Sequence, residues 1–301
     1  MIPEFPQFKK LEISDKKEIE RVAKDFPPYS DFNFVSLWSW NTQNKIRLSK
    51  LNNNIVVQFC DYVTHEIFLS FIGKNKVIET AFELLIFSKK HHQKNFLKLI
   101  PEELSLYFRF RHSPFVVYSD RDDADYMYLS EHLASMQDWR SNTKAKTLRK
   151  TIQTFPKYKV VVKSVKDINK KAYLSMFHKW SVRKHDNHAY DLNEYKAFRR
   201  FLKLADTSTI AICIYVGKQL AGFSMYEKLN KRYATAHFSK ADIQDYPGVY
   251  EILNWEEGRV LNRKNIKFLN WEQDLGIPGL RYAKEKYRPL FLLKKIMVTL
   301  P

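Results

Sequence analysis

Apolar positions along this chain recur with two periods, and the switches between them mark out its elements. The first half opens with the strand-like "FKKLEI", after which Ser14 reads as the N-cap of a helix running to the "FPP" break at Phe26–Pro28. An aromatic helix, "DFNFVSLWSW", covers 31–40. Two alternating strands, "KIRLSKL" and "IVVQFCDYV", flank the turn-forming "NNN" at 52–54, and "EIFLSFIG" is a third. In "KVIETAFELLIFSKKHH" the spacing turns helical, with Val77, Ala81, Leu84, Leu85 and Ser88 on one face. A strand near Phe96–Ile100, a helix near Glu102–Phe108 and the strand "FVVYSD" complete this half.

The second half repeats that order. "YKVVVKSV" reads as a strand, helices follow at Asn169–Lys184 and Asn193–Leu204, and "TIAICIYVGKQLAGFSMYEKL" is a hairpin turning at Gly217 and Lys218. "RYATAHFSKAD" pairs beside it, and then come the helix "GVYEILNWEEGRVLNR", the strand "IKFLNWEQ", the helix "GLRYAKEKYR" and a closing strand "LFLLKKIMVTL". The halves share an order of elements and no residues, which suggests a structural duplication. A length of 301 residues suits two domains, and the change of composition after "SDRDDADYMYL" places their boundary near 130: 1–130 and 131–301.

Charge changes the picture. The chain carries 51 basic and 33 acidic residues, a net charge of +18, which predicts attraction to polyanions, with a well-solvated lysine-rich surface as the alternative. From Arg140 to Lys166 there are nine lysines and arginines and no acidic residue. Within that stretch Lys146, Arg149, Lys150 and Gln153 fall on one helix face, opposite Leu148, Ile152 and Phe155. Lys144, Lys146, Arg149 and Lys150 are therefore the candidate nucleic-acid contacts. Cys60 and Cys213 sit apart in apolar runs, so a disulfide or zinc framework is not expected, and the reducing cytoplasm is the expected location. "MIPEFPQFKK" has no secretory h-region, and the apolar run at 210–216 is too short to span a bilayer.

The alternation from 209 to 291 resembles the core of the GNAT acyltransferase fold. That implies an α/β (α+β) chain of two tandem GNAT-like domains, each a mixed, mostly antiparallel sheet flanked by helices. GNAT enzymes hold the pyrophosphate of acyl-CoA on a small-residue loop opening a helix. The corresponding "QDYPGVYEI" keeps Gly248 but has Tyr250 for the second small residue, and Pro247 removes an N–H donor. Four stretches carry a closer resemblance: "PPYSDFNFVSLWSWN" (27–41), "YLSEHLASMQDWRSNTKAKTLRKTIQTF" (128–155), "AHFSKADIQDYPGVYEILN" (236–254) and "NWEQDLGIPGLRYAKEKYRP" (270–289). They resemble the soluble relatives of the C-terminal domain of phosphatidylglycerol lysyltransferase, distant kin of the Fem-type peptidoglycan aminoacyltransferases. The resemblance implies transfer of an aminoacyl group from aminoacyl-tRNA to an amine or hydroxyl acceptor, with no cofactor. Ser239 stands before Lys240 where the family has an acidic residue, so the contact to the aminoacyl ammonium is expected to be lost or moved. The membrane-embedded segment of the lipid synthases has no counterpart here, which leaves the acceptor unassigned and any contact with anionic membrane peripheral.

An aminoacyl ester is already activated, so a transferase has mainly to align the nucleophile and stabilise the oxyanion. On that chemistry the candidate catalytic residues are Asp274, Arg281 and Lys284, and the candidate substrate contacts are His237, Lys240, Tyr250, Asn254, Glu272 and Arg288. Glu272 and Asp274 suit an ammonium; Arg281, Lys284 and Arg288, spaced i, i+3 and i+7, suit phosphate or an oxyanion. Transfer from acyl-CoA and a non-catalytic basic scaffold binding RNA or anionic lipid are the alternatives. "KHH" (90–92) and "KHDNHAYD" (184–191) lack metal-ligand spacing, so no metal is expected. The stripe "FNFVSLWSW" reads as core or as an aromatic floor for a nucleotide.

Overall fold

The structure, a computed structural model, describes residues 1–61, 63–135, 143–185, 193–204 and 208–301; side chains at 143–144 and 183–185 also fall outside the description. Lys144 as a side chain and the histidines of 184–191 thus lie outside the described residues. Two compact units emerge: one contains Met1–Asp125, Gln273–Gly276 and Leu293–Pro301, the other Tyr126–Glu272 and Ile277–Leu292. Each is built on a seven-stranded mixed sheet.

The first unit begins with the short strand β1 (Lys9–Lys10) and the helices α1 (Lys16–Ala23) and α2 (Phe34–Trp40). Then come β2 (Arg47–Leu51), β3 (Asn54–Cys60), β4 (Ile67–Ile72), α3 (Val77–Lys90), β5 (Leu97–Pro101), α4 (Ser105–Phe108) and β6 (Val116–Tyr118). β2 and β3 pair from Leu51↔Asn54, leaving Asn52 and Asn53 as a two-residue loop with φ of 53° and 62°. Asparagine tolerates that left-handed conformation, and a loop with both residues in it matches the twist of a hairpin. On α3 the predicted apolar face is the observed one: Val77, Ala81, Leu84, Leu85 and Ser88 are all buried. The aromatic stripe of α2 is core as well, with Phe34, Val35 and Leu37 at most 2% exposed.

The second unit contains all but the first residue of β7 (Asp125–Leu129), then α5 (Ser130–Ser135), α6 (Thr143–Thr154), β8 (Lys159–Ser164), α7 (Lys170–His185) and α8 (Glu194–Leu204). After these come β9 (Thr209–Val216), β10 (Gln219–Lys228), β11 (Tyr233–Ala241), α9 (Val249–Arg263), β12 (Phe268–Gln273), α10 (Pro278–Glu285) and β13 (Phe291–Leu293). The hairpin turns at Gly217 and Lys218 as expected, with Gly217 at φ 59°. Its sheet order is β13-β7-β12-β11-β10-β9-β8.

One expectation is corrected at the C-terminus. The closing run is not a single strand of the second half: it breaks at Lys294, and β14 (Lys295–Thr299) joins the first sheet, whose order is β1-β2-β3-β4-β5-β14-β6. The reason is electrostatic as well as apolar. Lys295 is buried and ion-paired with both Asp31 and Asp125, the latter at 2.7 Å, while Asp125 also accepts from the Ser30 N–H and hydroxyl. A buried cation needs such partners, and Asp31 and Asp125 both belong to the first unit.

The duplication is visible in topology. In the first sheet three antiparallel strands (β2, β3, β4) lead through α3 to β5, parallel to β4. In the second, β9, β10 and β11 lead through α9 to β12, parallel to β11. This is the tandem GNAT-like, α/β arrangement that the order of elements implied.

Candidate active site

β11 and β12 pair at Tyr233↔Phe268, Ala234↔Leu269 and Thr235↔Asn270, where the pairing ends, although the strands run on to Ala241 and Gln273. A gap between parallel strands at their C-terminal ends is where α/β sheets bind ligands. Two backbone irregularities aim side chains there. The register of β11 against β10 shifts between Met225 and Tyr226, which pair with Phe238 and Ala236 and leave His237 as the extra residue of a bulge. Glu272 adopts φ 59°, costly for a residue with a Cβ, and its N–H donates to Asn270 Oδ1 at 2.6 Å.

His237 is 5% exposed and lies between two carboxylates. Its Nδ1 is 3.0 Å from Glu272 Oε1, and its Nε2 is 3.4 Å from Glu227 Oε2. Burial pulls the imidazole down, but the two carboxylates outweigh it and carry its pKa up to about 9. The imidazolium form, with a carboxylate beside each ring nitrogen, is therefore favoured at neutral pH. Of its partners Glu227 is buried, whereas the Glu272 side chain keeps 16% of its surface exposed and is the one a substrate can reach. Lys284 Nζ donates to the Glu272 carbonyl at 3.2 Å and lies 5.4 Å from the centre of the Tyr126 ring.

A second cluster sits on the same unit. Lys240 Nζ is 2.6 Å from Glu194 Oε1, at the start of α8, and 4.0 Å above the Trp180 ring, so its charge meets a carboxylate and an aromatic face together. On α9, Tyr250 and Asn254 fall one turn apart as predicted. Burial pushes the Tyr250 phenol well above the ordinary tyrosine range, with nearby Glu194 adding to the shift and hydrogen bonds from the Ala241 backbone and Trp180 opposing it. Burial likewise pushes Tyr287 up, with Glu251 adding to the shift and Asn254 opposing it. Tyr287 meets Trp271 edge-on at 5.5 Å, and Trp271 lies 4.2 Å from Tyr128.

The turn before α9 is closed from outside. Gly248 has φ 85°, and a Cβ there would lie 2.0 Å from Thr151 Oγ1 on α6. Phe155, just past α6, packs edge-on against Tyr246 at 5.7 Å, and the Val249 N–H is taken by the Tyr246 carbonyl at 3.1 Å. A diphosphate needs that turn open and its N–H groups available. The outer face of α6 presents Lys146, Arg149 and Lys150, all exposed, while Ala145 and Leu148 are fully buried.

The predicted site residues do not all converge. His237, Glu272 and Lys284 form one group; Lys240 belongs with Glu194 and Trp180; Tyr250 and Asn254 line α9. Asp274 is a residue of the first unit, fully buried, with Oδ2 3.6 Å from Arg121 Nε and Oδ1 accepting from the Gly276 N–H at 3.0 Å. Arg281 is half-buried on α10, but that helix ends at Glu285, so exposed Arg288, at φ 53°, does not continue the row of Arg281 and Lys284. Glu227, Glu194 and Trp180 are not among the residues that the sequence pattern singles out. The signal for Glu227 was present: a carboxylate at an inward position of the apolar run "AGFSMYEK". Among the described residues no cluster of His, Cys, Asp and Glu could hold a metal ion.

Comparison with solved structures agrees with this architecture. A conserved protein of unknown function from Bacteroides thetaiotaomicron superposes with a TM-score of 0.81 over 100% of both chains at 20% identity. L-PGS from Bacillus licheniformis gives 0.61 at 10% identity, over 99% of this chain and 93% of that one. FemX gives 0.55 at 6% identity, over 98% and 97%. At such identities the likeness is one of fold. No curated protein sequence matches the chain significantly. The sequence profile described as "Phosphatidylglycerol lysyltransferase, C-terminal" matches residues 24–299, nearly the whole length, and the chain belongs to that family.

Proposed function

We propose that this chain is an aminoacyltransferase that takes its aminoacyl group from aminoacyl-tRNA and passes it to an amine or hydroxyl acceptor. The observation that carries the reading is the His237–Glu272 pair in the gap between β11 and β12, in a chain of the lysyltransferase family. Glu272, held by His237 and open on one side, is suited to the ammonium of the aminoacyl group. That would replace the acidic contact whose place Ser239 takes. Lys284, Arg281 and Lys240 supply positive charge for the oxyanion and the terminal phosphates. The acceptor nucleophile attacks the ester carbonyl, the tetrahedral intermediate collapses, and the C–O bond to the terminal ribose breaks. The acceptor loses one proton and the ribose oxygen gains one.

The basic face of α6 suits the acceptor stem, and its inner face fills the turn that acyl-CoA would need, which counts against the CoA alternative. The test is incubation of purified protein with a pool of charged tRNA, following loss of the ester and its salt dependence. Each phosphate neutralised contributes roughly −0.7 to −0.9 to the log–log slope. Salt-insensitive binding, or no ester loss with any charged tRNA and an acceptor panel of amines and phospholipids, sinks the reading. Binding without turnover would favour the scaffold.

A further inference from the structure

Transfer as proposed above requires one proton to leave the acceptor and one to reach the departing ribose oxygen, and a buried acid stands behind the gap between β11 and β12. Glu257 is 1% exposed, and its Oε2 has no hydrogen-bond partner. The neighbouring Glu256 shows how α9 satisfies a carboxylate elsewhere: it accepts from the Tyr158 hydroxyl at 2.7 Å and from Arg259 at 2.8 Å. Among the described residues no cation pairs with Glu257. α9 packs across β10, where a Cβ on Gly222 would lie 3.6 Å from Leu253 Cδ2. One turn along α9 from Leu253 is Glu257, and two residues along β10 from Gly222, on the same face, is Ser224. The acid thus stands over a hydroxyl.

Ser224 is fully buried and pairs with Ser239 across β10 and β11, and its Oγ donates to Ser239 Oγ at 2.8 Å. On β11 Phe238 packs on Phe201 of α8 and Lys240 lies over Trp180 of α7, so strand alternation turns Ser239 the other way, toward α9. Ser239 is half-buried, two residues past His237 and beyond the last rung to β12, Thr235↔Asn270. Burial pushes the Glu257 carboxyl well above the ordinary range, and Ser224 is the one side chain that acts against this. Burial wins, so the acid keeps its proton at neutral pH. A serine has one hydrogen to give, and Ser224 gives its own to Ser239, so toward the un-ionised acid it is the acceptor. The hydrogens then run one way, from the core toward the gap.

We propose, on the strength of the transfer reading, that Glu257, Ser224 and Ser239 relay the proton of the reaction. After the acceptor has attacked and as the C–O bond breaks, Ser239 gives its proton to the ribose oxygen, Ser224 gives its own to Ser239, and Glu257 gives its own to Ser224. The proton lost by the acceptor returns through Ser239 and Ser224 to Glu257, which leaves the relay unchanged. The carboxylate formed in between has no cation beside it, and that favours the return. Environment divides the two acids of the site: Glu257 is neutral in apolar surroundings, whereas Glu272, beside His237, keeps its charge for the ammonium.

The experiment has an infrared arm and a kinetic one. Difference spectra of wild type against Glu257→Gln at neutral pH should show the carbonyl stretch of an un-ionised carboxylic acid, and Ser224→Ala should shift that band. In single-turnover transfer from charged tRNA, Glu257→Gln and Ser224→Ala should each slow the reaction roughly a hundredfold, as for a lost general acid, with the affinity for the donor unchanged. The double variant should be no slower than either, because the two act as one chain. Ser239→Ala should fall as far, and Ser239→Thr, which keeps the hydroxyl, should retain most of the rate. Ser224→Ala removes a single oxygen, and its melting curve keeps the test open if Glu257→Gln fails to fold. A carboxylate at Glu257, a band indifferent to Ser224→Ala, or wild-type rates in the variants overturn the relay and leave the transfer reading intact. A wild type that transfers nothing overturns that reading, and the relay with it.

Discussion

Leu99 and Glu272 occupy equivalent places in the two sheets. Each lies two residues past the last rung joining the parallel pair, Leu69↔Leu97 in the first sheet and Thr235↔Asn270 in the second. Each has a positive φ, 62° and 59°. The same irregularity is thus built twice, and only its side chain differs: 4% exposed leucine in one unit, a carboxylate bonded to an imidazolium in the other. The first unit has kept the frame and filled it. A Cβ on Gly73, before α3, would lie 2.1 Å from Asn54 Oδ1, and Asn54 Nδ2 donates to the Asn75 carbonyl at 2.6 Å.

The contrast predicts opposite phenotypes. Glu272→Gln should lower kcat/KM for aminoacyl transfer by roughly ten- to a hundredfold, the worth of one hydrogen bond to a charged group, with the loss mainly in KM for the donor. Leu99→Ala should leave transfer per folded molecule unchanged and cost about 2–4 kcal/mol in urea unfolding, as for other buried leucines. If Leu99→Ala impairs transfer as much as Glu272→Gln does, the assignment of chemistry to the second unit is wrong.

His237 gives a pH signature. Its folded pKa, about 9, lies above the ordinary 6.5, so the folded state binds the proton more tightly than the unfolded state. The stabilisation is complete below about 6.5 and fades as pH rises through about 9. The melting temperature of the wild type should fall over that window, and His237→Gln should start lower and lack that part of the fall. Parallel curves for the two proteins would refute the imidazolium.

Much of the frame could be read from periodicity alone, because α3, the Gly217 hairpin and the basic face of α6 each obey a local rule: an apolar stripe, a turn residue, a charge stripe. The site was legible only in part. His237 and Glu272 stand out by type, but their meeting depends on a bulge and on where a parallel pairing ends, neither of which leaves a local signal. Asp274 looked like the natural partner of Glu272 because the two are close in sequence. Strand alternation sends i and i+2 to one face only while the strand stays regular, and at φ 59° Glu272 breaks it. The break at Lys294 was hidden for a similar reason, since its cause is the distant pair Asp31 and Asp125.

Lys240 and Glu194 form a close ion pair with little solvent around the lysine, whose side chain is 8% exposed against 21% for the glutamate. Removing one partner leaves the other charge poorly solvated, and removing both does not. Lys240→Met and Glu194→Gln should each destabilise the chain by about 1–3 kcal/mol, and the double variant by less than the sum. A double-mutant cycle by urea denaturation measures the coupling. Strict additivity would show that Trp180, and not Glu194, is the main partner of the lysine.

Lys295 makes a sharper case, because it is buried between two carboxylates. Burial holds Asp31 up, to about 6, and Lys295 opposes that shift, so Lys295→Met should raise the Asp31 pKa further. The loss of stability should be about 3–5 kcal/mol near neutral pH, the usual cost of stranding a buried charge. It should shrink at about pH 4, where the carboxylates can take up protons instead. Urea midpoints across that range decide it; a deficit that does not change with pH would mean the lysine acts through packing alone.

The turn at Gly248 offers a test of the donor. With φ 85° and a Thr151 hydroxyl where a Cβ would go, Gly248→Ala combines backbone strain with a clash, and should cost at least about 1–2 kcal/mol. Gly248→Ala/Thr151→Ala should recover the part due to the clash, since a Cβ at 248 would then face a methyl group no longer carrying the hydroxyl. The same contact leaves no room for a diphosphate, so calorimetric titration of the wild-type chain with acetyl-CoA and longer acyl-CoAs should give no heat of binding. If acyl-CoA does bind, and Gly248→Ala abolishes it, then α6 must move away from α9 on binding, and the donor is a thioester and not an RNA-borne ester.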